Sequence, residues 1–198
     1  MEAAPRSEDM TGADLAVLLV GDVRTIAPGL LGYRVRTEFD GRPTEVVLTD
    51  LEAYGGADDP ASHAYRGRTA RNDSMFGAPG TLYVFRSYGI HWCMNVVVGP
   101  AGTPAAVLLR GGAPRVGMEV MAGRRGRTDH LTDGPGKLGQ ALGVDGSVDG
   151  SSLADGPVRL LEPQHPVRGR VTASARIGVS RGTSRKWRFA VTGTQTAG

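Results

Sequence analysis

Two carboxylates, Asp50 and Glu52, lie two residues apart at the end of an apolar segment. If that segment is a β-strand, both side chains share a face with Val46 and Leu48, because side chains alternate with a period of two. A carboxylate beside an apolar face can take a proton from water and act as a general base. The alternative is a strand that simply runs into solvent, and this pattern alone leaves both interpretations open.

A second group of candidates is aromatic and surrounds the turn sequence Ser87-Tyr88-Gly89. Rings next to a cationic Arg86 are typical of nucleic-acid surfaces, where rings stack on bases and arginine contacts phosphate. Aromatic residues also favour strands and fill cores, and this second interpretation suits Tyr83 and Trp92. Tyr88, which stands beside the turn glycine, is predicted to be exposed.

His63 is an isolated histidine in a polar stretch from 55 to 79. This stretch is long for a plain loop, which predicts a functional segment, although a lone histidine is more simply structural or exposed. No group of His, Cys, Asp and Glu has the spacing of metal ligands, and no phosphate loop or dinucleotide fingerprint is present. The sequence therefore predicts an activity without a metal or cofactor.

The elements that would position these residues are short strands separated by turns. Period-2 alternation and turn residues predict strands at 33–39, 44–52, 81–85, 90–98, 105–110, 158–161 and 187–191. Short helices are predicted at 14–20, 116–124 and 134–142, the last with a proline in its first turn. The pattern favours one α+β domain, residues 13–192, with a largely antiparallel sheet. The tails 1–12 and 193–198 are predicted to be disordered.

The composition is basic but not strongly so, with a net charge of +3 and a pI near 9.3. Nearly all of the positive charge is arginine, whose planar fork suits phosphate; the lysines are Lys137 and Lys186. The single cysteine, Cys93, excludes an intramolecular disulfide. No apolar run is long enough to span a bilayer. These features predict a soluble protein of the cytoplasm that has no membrane partner.

Eight stretches, taken in order, resemble the alkyladenine (3-methyladenine) DNA glycosylase family. Each stretch alone is a weak signal, but their common order and spacing make the resemblance specific. The resemblance covers roughly residues 25 to 192. The matching stretches are Leu30-Leu31-Gly32, Glu52-Ala53-Tyr54, His63 with Gly67-Arg68-Thr69-Ala70-Arg71-Asn72 and Met75-Phe76, Pro79-Gly80-Thr81-Leu82-Tyr83-Val84, Tyr88-Gly89 through Cys93-Met94-Asn95, Val107-Leu108-Leu109-Arg110, Gly134-Pro135-Gly136-Lys137-Leu138, and Arg176-Ile177-Gly178-Val179.

The resemblance implies a role for each matching position. Glu52 would be the general base, holding the attacking water together with Arg110. Tyr88 would be a wedge that enters the minor groove and fills the space left by a flipped nucleotide. The residues around the flipped base would be Tyr54, Ala61, His63, Phe85, Asn95 and Val179. Asn95 among them would crowd the exocyclic amine of guanine.

The same resemblance implies a curved, partial-barrel sheet surrounded by helices, with a β-hairpin turn inserting into the DNA minor groove. It implies a monomer that binds double-stranded DNA containing damaged purines, in the bacterial nucleoid or in a eukaryotic nucleus. Water would attack the N-glycosidic bond, so no amine nucleophile and no lyase activity is expected. The candidate phosphate contacts are Arg68, Arg71, Arg86, Lys137 and the cluster 124–127. These side chains could equally be solvated surface residues that contact no phosphate.

Two positions depart from the family pattern, and two other functions stay open. Phe85 stands where the family often has tyrosine, and Lys186 where it usually has proline. The first alternative is a catalytically idle domain of the same fold that only binds damaged DNA. The second is a hydrolase of free nucleosides, for which the wedge and the arginine surface would be superfluous.

Overall fold

A computed structural model describes residues 9–193. Helix α1 (Gly12–Leu18) begins at the capping box of Thr11 and Asp14, in which each side chain bonds the backbone of the other residue. Helix α2 (Val23–Gly29) begins at Asp22, whose carboxylate accepts from the Arg24 amide. Residues 9–12 of the predicted tail are thus part of the fold, with Met10 buried, while 1–8 and 194–198 lie outside the described residues.

The described part of the chain forms one curved, eight-stranded antiparallel sheet with four α-helices, which confirms the predicted α+β domain. The strands are β1 Arg34–Phe39, β2 Arg42–Tyr54, β3 Leu82–Ser87, β4 His91–Val98, β5 Ala105–Val116, β6 Val158–Leu161, β7 Arg170–Ser174 and β8 Arg188–Thr192. The order β3-β4-β5-β2-β1-β6 places β2 and β5 at the centre, and β8 pairs with both β2 and β7. The helices that follow β5 are α3 Met118–Arg125 and α4 Pro135–Leu142.

Helices α2 and α3 and strands β5 and β7 differ from the sequence-based expectation. Strand β5 continues to Val116 rather than ending at Arg110, because its second half pairs with the first half of β2. The helix predicted from 116 therefore begins at Met118, after Gly117 turns the chain with a φ of 72°. Strand β7 was not predicted from the sequence, and it is a mostly exposed strand at the sheet edge.

Strand β2 departs from strict alternation near the predicted carboxylates. Its register against β5 shifts on both sides of Asp50, as a β-bulge does. Leu51 and Ala53 are as fully buried as Leu48, because α2 and β8 also contact this strand. Both faces of the second half of β2 are therefore covered by other elements.

Helix α4 packs very closely on β4 through two glycines. A Cβ at Gly139 would lie 2.2 Å from the carbonyl oxygen of Trp92, and one at Gly136 would lie 2.7 Å from the His91 side chain. Such approaches exclude any larger residue. They fix the start of α4 beside the β3–β4 hairpin. No helix within residues 9–193 is long and apolar enough to cross a membrane.

Candidate active site

A cleft of about 490 Å³ opens on the end of the central strands. Strands β2, β3, β4 and β5 supply one side of it, and two irregular segments, at 60–63 and 177–180, supply the other. The positions predicted from the sequence that line this cleft are Tyr54, Ala61, His63, Arg71, Phe85, Tyr88, Asn95, Arg110 and Val179. One fold thus brings together residues separated by more than a hundred positions in the chain.

Glu52 and Arg110 form an ion pair between the two central strands. The Arg110 Nη1 atom lies 3.2 Å from Glu52 Oε1, and the Arg110 Nε atom lies 3.6 Å from Asp50 Oδ2. Arg110 reaches the cleft surface, whereas Glu52 is completely buried and lies behind it. A charged pair out of water interacts more strongly than the same pair on the surface. The pair predicted from sequence is therefore assembled, with the arginine between the carboxylate and the cleft.

The Glu52 carboxylate has two further donors. The Tyr54 hydroxyl donates to Oε2 at 2.8 Å, and the backbone N–H of Ile177 donates to Oε1 at 2.8 Å. An ionised carboxylate offers about four acceptor positions. With Arg110, three of them are occupied by groups that hold the carboxylate in place. One of the four acceptor positions has no donor among these contacts.

The aromatic wall of the cleft is built by three rings. His63 lies edge-to-face on Phe85, with ring centroids 4.4 Å apart, and its Nδ1 is 2.9 Å from the Tyr83 hydroxyl oxygen. Burial, with a further contribution from the Arg71 charge, holds the pKa of His63 below its usual value, so the ring is neutral at physiological pH. Tyr83, predicted as core, has a buried ring and also borders the cleft; burial raises its pKa to about 12.

Asn95 and Cys93 lie deeper in the cleft, on β4. The Asn95 amide group donates from Nδ2 to the Tyr83 carbonyl at 3.1 Å, which fixes its orientation. Burial raises the pKa of the Cys93 thiol to about 11, so the thiol is protonated and is a poor nucleophile at neutral pH. Of these two residues, Asn95 is the one that presents a polar group with a fixed orientation at the cleft.

Two comparisons with known proteins bear on this arrangement. A family model described as "Methylpurine-DNA glycosylase (MPG)" matches residues 18–195. The chain belongs to the methylpurine-DNA glycosylase family. It is accordingly a DNA glycosylase, a hydrolase of N-glycosyl bonds whose substrate is DNA.

Similar proteins come from several bacteria. A protein of Frankia casuarinae is 46% identical over 187 residues, which cover 88% of this chain and 86% of that protein. A protein of Mycobacterium tuberculosis is 44% identical, and the match covers 93% of this chain and 90% of that protein. A protein of Rubrobacter xylanophilus is 43% identical, and the match covers 83% of this chain and 86% of that protein. All three carry the name "Putative 3-methyladenine DNA glycosylase". The resemblance to this family that was drawn from sequence motifs is thereby confirmed.

The glycosylase presents its β3–β4 hairpin beside the cleft. Tyr88 is 89% exposed at the tip, with a φ of 49°, and Gly89 follows with a φ of 72°. Ile90, the next residue, is 67% exposed. Tyr88 and Ile90 together expose an apolar surface at the hairpin tip. Tyr88 is thus exposed, as its place beside the turn glycine predicts.

The predicted phosphate contacts of the glycosylase fall into two groups. Arg71 borders the cleft and donates to the Arg86 carbonyl, and Arg86 in turn lies over the Trp92 ring beside the hairpin. Arg68 and Lys137 do not line the cleft; they form ion pairs with Asp73 and Asp133 respectively. The first group is therefore nearer to where DNA would approach the cleft.

Three charged residues around the glycosylase site, Arg188, Arg176 and Asp59, were not predicted to act there. Arg188 forms a bidentate pair with Asp50, at 2.8 and 3.0 Å, and so extends the Glu52–Arg110 pair outward. Arg176 and Asp59 form a second, fully buried pair behind Tyr54. Arg176 is the first residue of the family motif at 176–179, and this motif was the only sequence feature that could have indicated a role for it. Residues 9–193 contain no group of three or more His, Cys, Asp or Glu that could hold a metal ion.

Proposed function

We propose that this protein is a monofunctional glycosylase of base excision repair that flips alkylated or deaminated purines out of duplex DNA. The substrates are of the 3-methyladenine, hypoxanthine and ethenoadenine type, and an activated water hydrolyses the N-glycosidic bond. The observation that carries this proposal is the buried Glu52–Arg110 pair, 3.2 Å apart, at the base of an aromatic cleft. The cleft volume lies within the range of small-molecule sites.

The chemistry follows from the charges that develop as the bond breaks. The deoxyribose acquires oxocarbenium character, which a nearby carboxylate stabilises, and the attacking water must lose a proton. Glu52 performs both tasks, using its one remaining acceptor position for the water, while Arg110 orients that water from the cleft side. The bond formed is C1′–O and the bond broken is C1′–N. The departing purine takes the bonding electrons: a cationic alkylated base leaves as a neutral one, and a neutral base such as hypoxanthine leaves as an anion that takes up a proton from water.

The aromatic walls favour the damaged base over a normal one. A flipped purine placed against Tyr54, His63 and Phe85 contacts rings on several sides, and a cationic purine gains roughly 0.5–2 kcal/mol from cation–π attraction. Asn95 places its fixed amide where guanine would carry its exocyclic amine, which disfavours that base. Because Phe85 has no hydroxyl, this residue supplies no side-chain hydrogen bond to the base.

Extrusion of the nucleotide is assigned to Tyr88. Flipping costs a few kcal/mol of stacking and pairing, and less for damaged or mispaired bases. A tyrosine at the tip of the hairpin can occupy the vacated space in the stack from the minor groove and offset part of that cost. Arg71 and Arg86 contact the flanking phosphates, and Ala61 and Val179 complete the pocket with backbone. The protein acts as a monomer, because the wedge surface must stay free for DNA.

The test is single-turnover excision from labelled duplexes that carry hypoxanthine or ethenoadenine, with alkali to cleave abasic sites. The variant Glu52→Gln is compared with wild type, and Glu45→Gln serves as a matched control. Glu45 lies on the same strand, is equally buried, and pairs with Arg34 at 3.0 Å far from the cleft. We expect alkali-dependent cleavage by wild type and by the control, and none by Glu52→Gln, which still binds the damaged duplex.

Each other result has a defined meaning. Undiminished excision by Glu52→Gln would remove this residue as the base. Cleavage without alkali would show an associated lyase, for which Lys137 would be the first amine to test. If wild type releases no base from these duplexes or from methylated DNA but still binds them, the chain is an idle damaged-DNA-binding domain.

A further inference from the structure

A second buried ion pair lies outside the catalytic pair. The Arg176 guanidinium donates to Asp59 from both terminal nitrogens, Nη1 to Oδ2 at 2.5 Å and Nη2 to Oδ1 at 2.8 Å. Both side chains are completely buried. Burying two charges is costly, and apolar residues of similar volume often stabilise a fold as well or better. Stability alone therefore does not explain why this position holds an arginine.

Arg176 and its neighbour contact three consecutive residues of β2. The backbone N–H of Ile177 donates to Glu52 Oε1 at 2.8 Å, and Arg176 Nη1 donates to the Ala53 carbonyl at 2.9 Å. The Arg176 guanidinium also lies 4.6 Å from the centre of the Tyr54 ring. The same residue thus stacks on a wall of the base pocket and adjoins the backbone donor of the catalytic carboxylate.

Asp59 connects this arrangement to the opposite side of the cleft. Its carboxylate accepts from the backbone N–H of Gly55 and of Ala61, each at 3.2 Å. Ala61 begins the short segment that places His63 in the cleft. Neither this segment nor residues 177–180 belong to the sheet, so strand hydrogen bonds do not set the distance between them. The Arg176–Asp59 pair joins the two.

We propose that Arg176, held by Asp59, is a positioning residue that aims the Ile177 amide at the Glu52 carboxylate and supports the Tyr54 ring against the flipped base. This inference rests on the function proposed above. No side-chain change short of proline removes a backbone donor, so the side chain that places Ile177 controls that donor. Arginine suits the task because its fork serves Asp59 and Ala53 at once while its flat face stacks on Tyr54.

The chain supplies a matched control in Arg185. This residue lies 3.6 Å from Asp59 and stacks on the Trp187 ring at 4.5 Å, as Arg176 does at 5.1 Å. No hydrogen bond, ion pair or ring contact joins it to Glu52, Ala53 or Tyr54, and it donates a hydrogen bond to the Asp58 carbonyl. Arg176→Lys and Arg185→Lys therefore make the same chemical change beside the same carboxylate, and only the first lies between Asp59 and β2.

Three quantities are measured for wild type and both variants: single-turnover excision of ethenoadenine, the Kd for the damaged duplex, and hydrogen exchange of the ¹⁵N-labelled Ile177 amide. For Arg176→Lys we expect excision to slow by about tenfold or more, since small misplacements of reacting groups are costly. The Kd stays within about threefold, as for an interaction used mainly in the transition state. The Ile177 amide exchanges faster, and Arg185→Lys resembles wild type in all three.

The proposal is overturned if Arg176→Lys excises at the wild-type rate, or if its losses equal those of Arg185→Lys. Should Arg176→Lys not fold, Asp59→Asn, which keeps the size of the side chain, takes its place with the same readouts. Fast exchange of the Ile177 amide in wild type would overturn the proposal without any variant. If wild type excises no base at all, the proposed function fails, while the exchange data still decide whether Arg176 positions Ile177.

Discussion

Tyr54 donates its phenolic hydrogen to the carboxylate of Glu52, two residues before it on the same strand. Burial and the neighbouring carboxylate charge raise the pKa of Tyr54 well above its usual range, so the phenol stays protonated and remains a donor. The ring of Tyr54 at the same time borders the cleft. Tyr54 therefore links the cleft that would bind the base to the Glu52 carboxylate that would activate water.

Tyr54→Phe separates these two roles, because the ring remains and the hydrogen bond is lost. A hydrogen bond to a charged acceptor is worth about 1.5–3 kcal/mol, so we expect excision to slow by roughly tenfold or more with little change in Kd for damaged DNA. Single-turnover kinetics and a binding titration measure the two effects. Tyr33→Phe, a half-buried phenol outside the cleft, is the control. Equal excision by both variants would show that the bond has no part in the chemistry.

Tyr88→Ala tests the wedge. Because Tyr88 is 89% exposed, its removal should change the free energy of unfolding by no more than about 0.5 kcal/mol. Excision should slow more on fully paired duplexes than on mismatched ones, where flipping costs less. Val17→Ala, at an apolar residue of helix α1 that is 84% exposed, should leave both rates unchanged. An equal loss on paired and mismatched duplexes would contradict the wedge assignment.

The lowered pKa of His63 predicts a pH dependence of stability. The unfolded chain titrates near 6.5 and the folded protein below that value, so the unfolded state binds more protons between the two pKa values. Stability should therefore fall as the pH drops through 6.5 towards the folded-state pKa. Chemical denaturation at pH 7 and pH 5 should show a smaller fall for His63→Gln than for wild type. His165→Gln, at an exposed histidine outside the cleft, should keep the wild-type difference.

Gly139→Ala should destabilise the protein, because the new Cβ would lie 2.2 Å from the Trp92 carbonyl oxygen and helix α4 would have to move. We expect a loss of about 1–3 kcal/mol in urea denaturation. Gly123→Ala, in helix α3, has no atom within 4 Å of the added Cβ and should gain ~0.5–1 kcal/mol. A Gly139→Ala protein as stable as wild type would mean that α4 is free to shift on the sheet.

The elements that sequence patterns predicted well are those with a strong local signal. The turn of Asp40 and Gly41 between two alternating segments gave the β1–β2 hairpin, and Tyr88-Gly89 gave the β3–β4 hairpin. Strand β7 carries little such signal, because its residues are mostly exposed and its order comes from pairing with β8. The predicted end of β5 at Arg110 was wrong because pairing with β2, and not the pattern of its own residues, keeps the second half of β5 extended.

The candidate site likewise has some residues that sequence motifs predicted and others that only the folded chain brings together. The family motifs predicted Glu52, Arg110 and the cleft residues as a group, and the structure places them together. The Arg176–Asp59 pair could not be predicted, because 117 positions separate two residues that are ordinary by type. Their proximity is a property of the folded chain, since each lies in an irregular segment whose course no periodic pattern describes.

The donor from Ile177 reaches a carboxylate made 125 residues earlier in the chain. During synthesis, strands β1 to β5, which carry Glu52 and Arg110, leave the ribosome before residues 176–180, which supply the Ile177 donor and one side of the cleft. A chain interrupted shortly before residue 176 would keep the central strands and the hairpin yet lack one wall of the cleft and one donor to Glu52. The ability to release a base would then arise late in synthesis, after the hairpin and central strands have already been made.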